Sequence, residues 1–144
     1  MLPVDMGANG GIVTMSFGGA IWVAAHCFVA FFASEATRGA LMALASRSKK
    51  DSGQRMQVLE LGAGTGICGL SVQTFYREDI VLTLTDCARD VMLLLQSNSR
   101  RNGDTARCEQ LIWGQPASIE PRVGLYDLIL ASDCSYSLQV ALKP

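Results

Sequence analysis

An α/β fold, a doubly wound and mostly parallel sheet preceded by N-terminal helices, is the class this sequence predicts, on three observations. Residues 57–69, Q-V-L-E-L-G-A-G-T-G-I-C-G, run from a short apolar strand through three glycines into a renewed apolar segment. Beyond them, apolar runs of strand length alternate with longer helical patterns, the alternation that builds parallel sheets. Finally, 144 residues of which 49% are apolar match the common size of one domain and suffice for a buried core.

Taken in order, residues 1–19 are glycine-rich and read as irregular, with a short strand at Ile12–Ser16. Ala20–Ala33 is almost wholly apolar and reads as one helix. Ser34 is a favoured capping residue and opens a second helix from Glu35 to about Arg47. Ser48–Arg55, S-K-K-D-S-G-Q-R, reads as a polar, solvated loop. Gln57–Leu61 is then a strand, Gly66–Tyr76 a helix, Ile80–Thr85 a strand and Ala88–Arg101 a helix. Arg107–Ile112 is a weaker strand and Tyr126–Ser132 a clear buried one. The expected organisation is a single unit over 1–144, with a helical extension over 1–50 and a ligand-binding core over 56–144. No internal repeat or low-complexity tract interrupts it.

Composition narrows the function. A net charge of −1 offers no broad basic field for nucleic acid. The five cysteines, at 27, 68, 87, 108 and 134, have no C-x-x-C spacing and leave one unpaired. Reduced thiols in an intracellular protein, cytoplasmic or nuclear, explain that better than a disulfide framework or a zinc site. No metal is expected. The single histidine, His26, lies in an apolar run and reads as a core residue, so histidine-based triads have little material. No Asp, Glu, Lys or Arg falls between Asp5 and Glu35, which raises a membrane span as an alternative. The continuous apolar stretch from Ala20 to Ala33 is only 14 residues and suits a buried helix better. A basic start, the mark of a secretory signal, is missing. No membrane partner is expected.

The glycine loop carries the chemistry. A strand that breaks into Gly62, Gly64 and Gly66 turns sharply and lets backbone approach a nucleoside-like ligand without a Cβ in the way. Two cofactor classes compete for it. Read as Gly64-x-Gly66-x-x-Gly69, the loop matches a dinucleotide fingerprint, with Asp86 or Asp90 downstream for a ribose. Read as Glu60-x-Gly62-x-Gly64-x-Gly66, it resembles motif I of the seven-strand S-adenosylmethionine-dependent methyltransferases, whose fold is Rossmann-like. Glu60 favours the second reading. A buried carboxylate is costly without a partner, and a pyrophosphate would repel it where a cationic cofactor would not.

In a doubly wound sheet the ligand crosses the carboxyl ends of the strands, and each predicted end carries a suggestive residue. Asp86 ends the second strand and can accept both ribose hydroxyls, or else cap the helix that follows. Trp113, in L-I-W-G, ends the third and can lie against an adenine ring, or simply pack. The fourth runs Asp127-Leu-Ile-Leu-Ala-Ser132-Asp133-Cys-Ser-Tyr136. With it the resemblance narrows to methyltransferase family 16, the protein-lysine methyltransferase-like group, which carries Asp-x-x-Tyr after this strand. Gly19-Ala-Ile-Trp22-Val-Ala-Ala resembles that group's element ahead of motif I, and Leu111-Ile-Trp113-Gly114 its Leu-x-Trp-Gly element. Four ordered matches cover residues 18–136.

The resemblance implies S-adenosylmethionine as cofactor, S-adenosylhomocysteine as product and a lysine of a protein as substrate. It implies a cofactor set of Trp22, Glu60, Gly62, Gly64, Gly66, Asp86, Trp113 and Ser132, with Trp22 near the methionine end. Asp133 would orient the amine and Tyr136 would wall its slot, although a helix cap and ordinary packing are their plainer roles. The family fold also continues past the fourth strand with a helix and three more strands, while this sequence ends at Pro144. Leu128–Ala131 is therefore expected at a sheet edge, open to self-association or to a partner chain. A truncated product, a completing partner and a non-catalytic binding module all stay open. A nicotinamide-dependent oxidoreductase is the other alternative.

Overall fold

The computed structural model describes residues 17–134. A 3₁₀ turn, Phe17–Gly19, leads into two helices, α1 (Val23–Ala33) and α2 (Glu35–Ser52). Strands and helices then alternate: β1 (Met56–Leu61), α3 (Ile67–Tyr76), β2 (Ile80–Asp86), α4 (Arg89–Arg101) and β3 (Arg107–Gln110). A four-residue helix, α5 (Pro116–Ile119), and a 3₁₀ turn at Glu120–Arg122 precede β4 (Leu128–Ala131). The strands form one sheet in the order β3-β2-β1-β4, and every pairing is parallel. This is the α/β, Rossmann-like arrangement that the alternation predicts.

The order has a functional consequence. From β1 through β2 to β3 the chain steps outward in one direction, and then β4 returns to the opposite side of β1. The winding reverses between β1 and β4, whose ends lie in register at Leu61 and Ala131. In open α/β sheets such a reversal leaves a crevice at the carboxyl ends of the strands.

The central strands are apolar because both of their faces are covered. Met56, Val58 and Leu59 of β1 and Ile80, Leu82 and Leu84 of β2 are buried. On α4, Val91, Met92, Leu95, Asn98 and Ser99 are buried while Leu93 is exposed, the spacing of a helix with one inward stripe. Phe32, Leu41 and Ala45 bring α1 and α2 into the same core, and α1 packs on α3. Tyr76 buries its ring there and donates its hydroxyl to the carbonyl of Phe32 at 3.1 Å.

Several boundaries depart from the sequence reading. The second helix continues to Ser52, so Ser48–Ser52 is helical rather than loop. Ser52 Oγ donates to the carbonyl of Ser48, and Lys49 and Lys50 in the last turn suit the negative end of the helix dipole. Gly53, at φ 72°, then closes the helix. Helix α1 starts at Val23 rather than Ala20, because Trp22 is extended and the residues before it form the 3₁₀ turn. His26, expected in the core, lies on the exposed face of α1. Strand β3 ends at Gln110 and β4 begins at Leu128. The expected strand at Ile12–Ser16 lies outside the described residues.

Among the described residues no single helix is long and apolar enough to cross a membrane. Helices α1 and α2 reach that length and composition together, but they are bent by 72°. Each of the five cysteines is a free thiol.

Candidate cofactor site at the sheet switch point

The glycine turn leaves β1 at the reversal of winding. Gly62 and Gly64 both adopt left-handed backbone, at φ 58° and 55°, which a side chain would strain. Space is short as well. A Cβ on Gly64 would stand 2.8 Å from the carbonyl oxygen of Gly18. One on Gly62 would stand 3.2 Å from Cys134 Sγ and 3.5 Å from the Trp113 ring. Gly66 provides the N-cap of α3. The turn is held from three sides: Ala63 N–H donates to Thr85 O at 2.8 Å, Gly66 N–H to Ala63 O at 2.8 Å, and Asn98 Nδ2 to Thr65 O at 2.9 Å.

Asp86 reaches this turn from the end of β2. Its Oδ2 accepts from Gly64 N–H at 3.1 Å, and its Oδ1 accepts from Cys87 and Ala88 N–H at 2.7 and 3.3 Å. It is not the N-cap of α4; that residue is Ala88, whose own side chain makes no capping bond. The carboxylate is instead oriented by backbone donors and remains partly accessible, with lone pairs left for a ligand's hydroxyls.

Glu60 is 2% exposed and its Oε2 accepts from Gly69 N–H at 2.8 Å. Gly69 has no side chain, and a Cβ there would collide with that carboxylate. Burial pushes the Glu60 carboxyl up to about 8, against the lowering effect of the Gly69 bond and with a further push from Asp86. An arriving cation would draw the proton off; an arriving phosphate would hold it on.

At the end of β4, Ser132 lies near Cys68 in the first turn of α3 and acts to lower the pKa of its thiol. Cys134 Sγ donates to Leu61 O at 3.2 Å, tying the segment after β4 to the end of β1. Burial, then the charge of Glu60, pushes the Cys68 thiol up to about 12, and burial raises Cys134 too. Both thiols therefore stay protonated and poorly reactive. Asp133 is exposed, at φ 56°, immediately beyond the strand.

Glu60, Gly62, Gly64, Asp86, Trp113 and Ser132 thus gather at one end of the sheet. Trp113 is half-buried with its ring against Gly62. Gly66 faces away from this group, toward Leu95 of α4. Trp22, at the N-cap of α1 and 47% exposed, is joined to it by the short segment from Gly18. Tyr136 lies outside the described residues. Sequence reasoning passed over Gly18, which presses on the turn, and Asn98, which holds it. The only trace of Asn98 was a polar residue on the apolar stripe of α4.

A compact glycine turn, a pre-oriented carboxylate and a buried acid suit a nucleoside ligand that carries positive charge. Among the described residues no group of three or more His, Cys, Asp or Glu could hold a metal.

The model of a family described as lysine methyltransferase, methyltransferase family 16, matches residues 6–142. The protein-lysine N-methyltransferase EFM2 of Saccharomyces cerevisiae is 36% identical over 95 residues, which cover 60% of this chain and 23% of that protein. The protein-lysine N-methyltransferase EFM6 of the same yeast is 28% identical over 136 residues, covering 83% of this chain and 52% of that protein. The chain spans about half the length of the second relative and less than a quarter of the first.

Proposed function

Since the chain belongs to the lysine methyltransferase family, matched over residues 6–142, we propose that it binds S-adenosylmethionine and takes part in methyl transfer to a lysine side chain of a protein. The observation that carries this reading is the Gly62–Gly64 turn with Asp86 bonded to its backbone at the switch point. Asp86 would hold the ribose hydroxyls, Trp113 would cover the adenine, and Glu60, with Trp22, would face the cationic methionine end. Gly66 would start the helix beneath, and Ser132 would close the far wall from β4. The cofactor supplies an activated methyl group on its sulfonium sulfur. What the protein must add is a nucleophile held close and in line.

A lysine ammonium has to lose its proton before it can attack, and a site that excludes water favours the neutral amine. Asp133, exposed just past β4, would orient that amine, and Tyr136 would flank it. The names of the yeast relatives support a protein substrate. A module that binds the cofactor without transferring the methyl group is the second reading. It is favoured by β4, which has β1 as its single partner among the described strands and leaves Ile129 58% exposed.

Calorimetric titration of the folded chain with S-adenosylhomocysteine, with NADH as control, tests the reading. Binding of the first alone is expected, and Asp86→Ala should weaken it at least tenfold, the scale of losing a charge-assisted hydrogen bond or two. Binding of NADH, or of neither ligand by a cooperatively melting sample, would overturn it.

A further inference from the structure

Trp113 lies on a segment that little else secures. After β3 the chain leaves the sheet at Leu111, whose N–H donates to Asp86 O at 3.0 Å. It then runs through Trp113 into α5, a helix of one turn with no buried residue. An isolated turn of this length has no stability of its own, so the direction of the indole must come from elsewhere.

The contacts converge on Arg122. Its Nη1 donates to the carbonyl of Ser118, and its Nη2 donates to Glu109 Oε2 at 2.8 Å and to Gln110 O at 3.4 Å. Glu109 stands opposite Thr85 in the ladder, so the anchor is the sheet itself. Ser118 in turn accepts from Ile112 N–H on its Oγ at 3.0 Å, one residue before Trp113. One planar fork thus clamps both ends of the loop, a geometry that guanidinium provides and ammonium does not. The Arg122 Nε is buried and has no partner among the described protein groups.

The structure assigns to Arg122, with Glu109 and Ser118, the task of positioning Trp113 over the glycine turn. The inference rests on the cofactor reading above for its effect on affinity, but not for its effect on the indole. Arg122 acts through Trp113; it is not placed against the ligand.

The experiment combines a ligand readout with one that needs no ligand. Arg122→Met keeps the length of the side chain and removes the fork. It is expected to weaken S-adenosylhomocysteine binding roughly 3- to 10-fold, the range for loss of one aromatic contact. In a Trp113→Ala background the same substitution should cost nothing further. With Trp22→Phe, Trp113 is the remaining tryptophan of the two. Its emission should then shift to the red and become more quenchable by acrylamide when Arg122→Met is added. Glu109→Gln should move both readouts the same way but less, and serves where Arg122→Met does not fold. Unchanged Trp113 emission would overturn the inference, as would an affinity loss that persists without Trp113. Should the wild type bind no S-adenosylhomocysteine, the cofactor reading fails and the emission alone decides the role of Arg122.

Discussion

At the scale of the residue, Glu60 has the most consequential environment. A carboxyl with 2% exposure and a lone backbone donor to Oε2 is held protonated far above its ordinary range, up to about 8. Unfolding releases it to water, where it ionises near 4.5. Between these values the folded chain binds the extra proton. Stability is then fully present below pH 4.5 and declines as pH rises through 8, by up to the order of a few kcal/mol. Chemical denaturation across this window should show the decline, and Glu60→Gln, which cannot ionise, should flatten it. An identical slope in the variant would mean that other groups set the pH dependence. Glu60 was legible in the sequence because an acid inside an apolar run is rare. Its bond to Gly69 was not, since nothing local signals which backbone donor a buried carboxylate will find.

At the scale of the element, the joints matter more than the interiors. Asp127 precedes β4 and accepts from Gln57 N–H at 2.7 Å and from Ser48 Oγ at 3.0 Å. One carboxylate therefore locks the start of β4, the start of β1 and the end of α2 together. Asp127→Ala should cost about 1–2 kcal/mol, because the donors lose a charged acceptor at a partly solvated joint. Asp127→Asn, which keeps an acceptor oxygen, should recover part of that. Thermal melts of the two variants decide, and equal losses would show that charge rather than hydrogen bonding holds the joint. The same contact explains the length of α2. Residues 48–52 read as loop from their polarity alone, yet Ser48 has a tertiary partner 79 positions away, and tertiary context overrides local preference. Helix α5 and the turn after it were illegible for the same reason, being held by Arg122 and Glu109. The strands and helices from β1 to α4 were legible because periodicity and glycine punctuation agree there.

At the scale of the whole molecule, the sheet has two edges among the described residues, β3 and β4, and they differ in character. Strand β3 carries Arg107, Glu109 and Gln110, while β4 is Leu-Ile-Leu-Ala with Ile129 58% exposed. An apolar edge offers unpaired backbone to any extended segment. Ile129→Lys should raise the temperature at which the heated chain begins to scatter light, with little change in the unfolding midpoint, since the side chain is mostly in solvent. An unaltered onset of scattering would place the aggregating surface elsewhere. That β4 lies beside β1 rather than beyond β3 could be expected from the doubly wound pattern. Which of its residues face out depends on the register with Val58 and Leu59, which the apolar run itself does not encode.

The pairing of β1 with β4 also orders events in time. These strands are neighbours in space yet separated by α3, β2, α4, β3 and α5 along the chain. On a ribosome, which releases the N-terminal part first, β1 and β2 can meet while β4 is still being made. The crevice at the switch point has no second wall until that strand arrives. A growing chain therefore holds its glycine turn before it holds the strand that flanks it on the other side. Loop closure over so long a separation is slow relative to local helix formation, so the interval in which the flank of β1 stands uncovered is built into the topology.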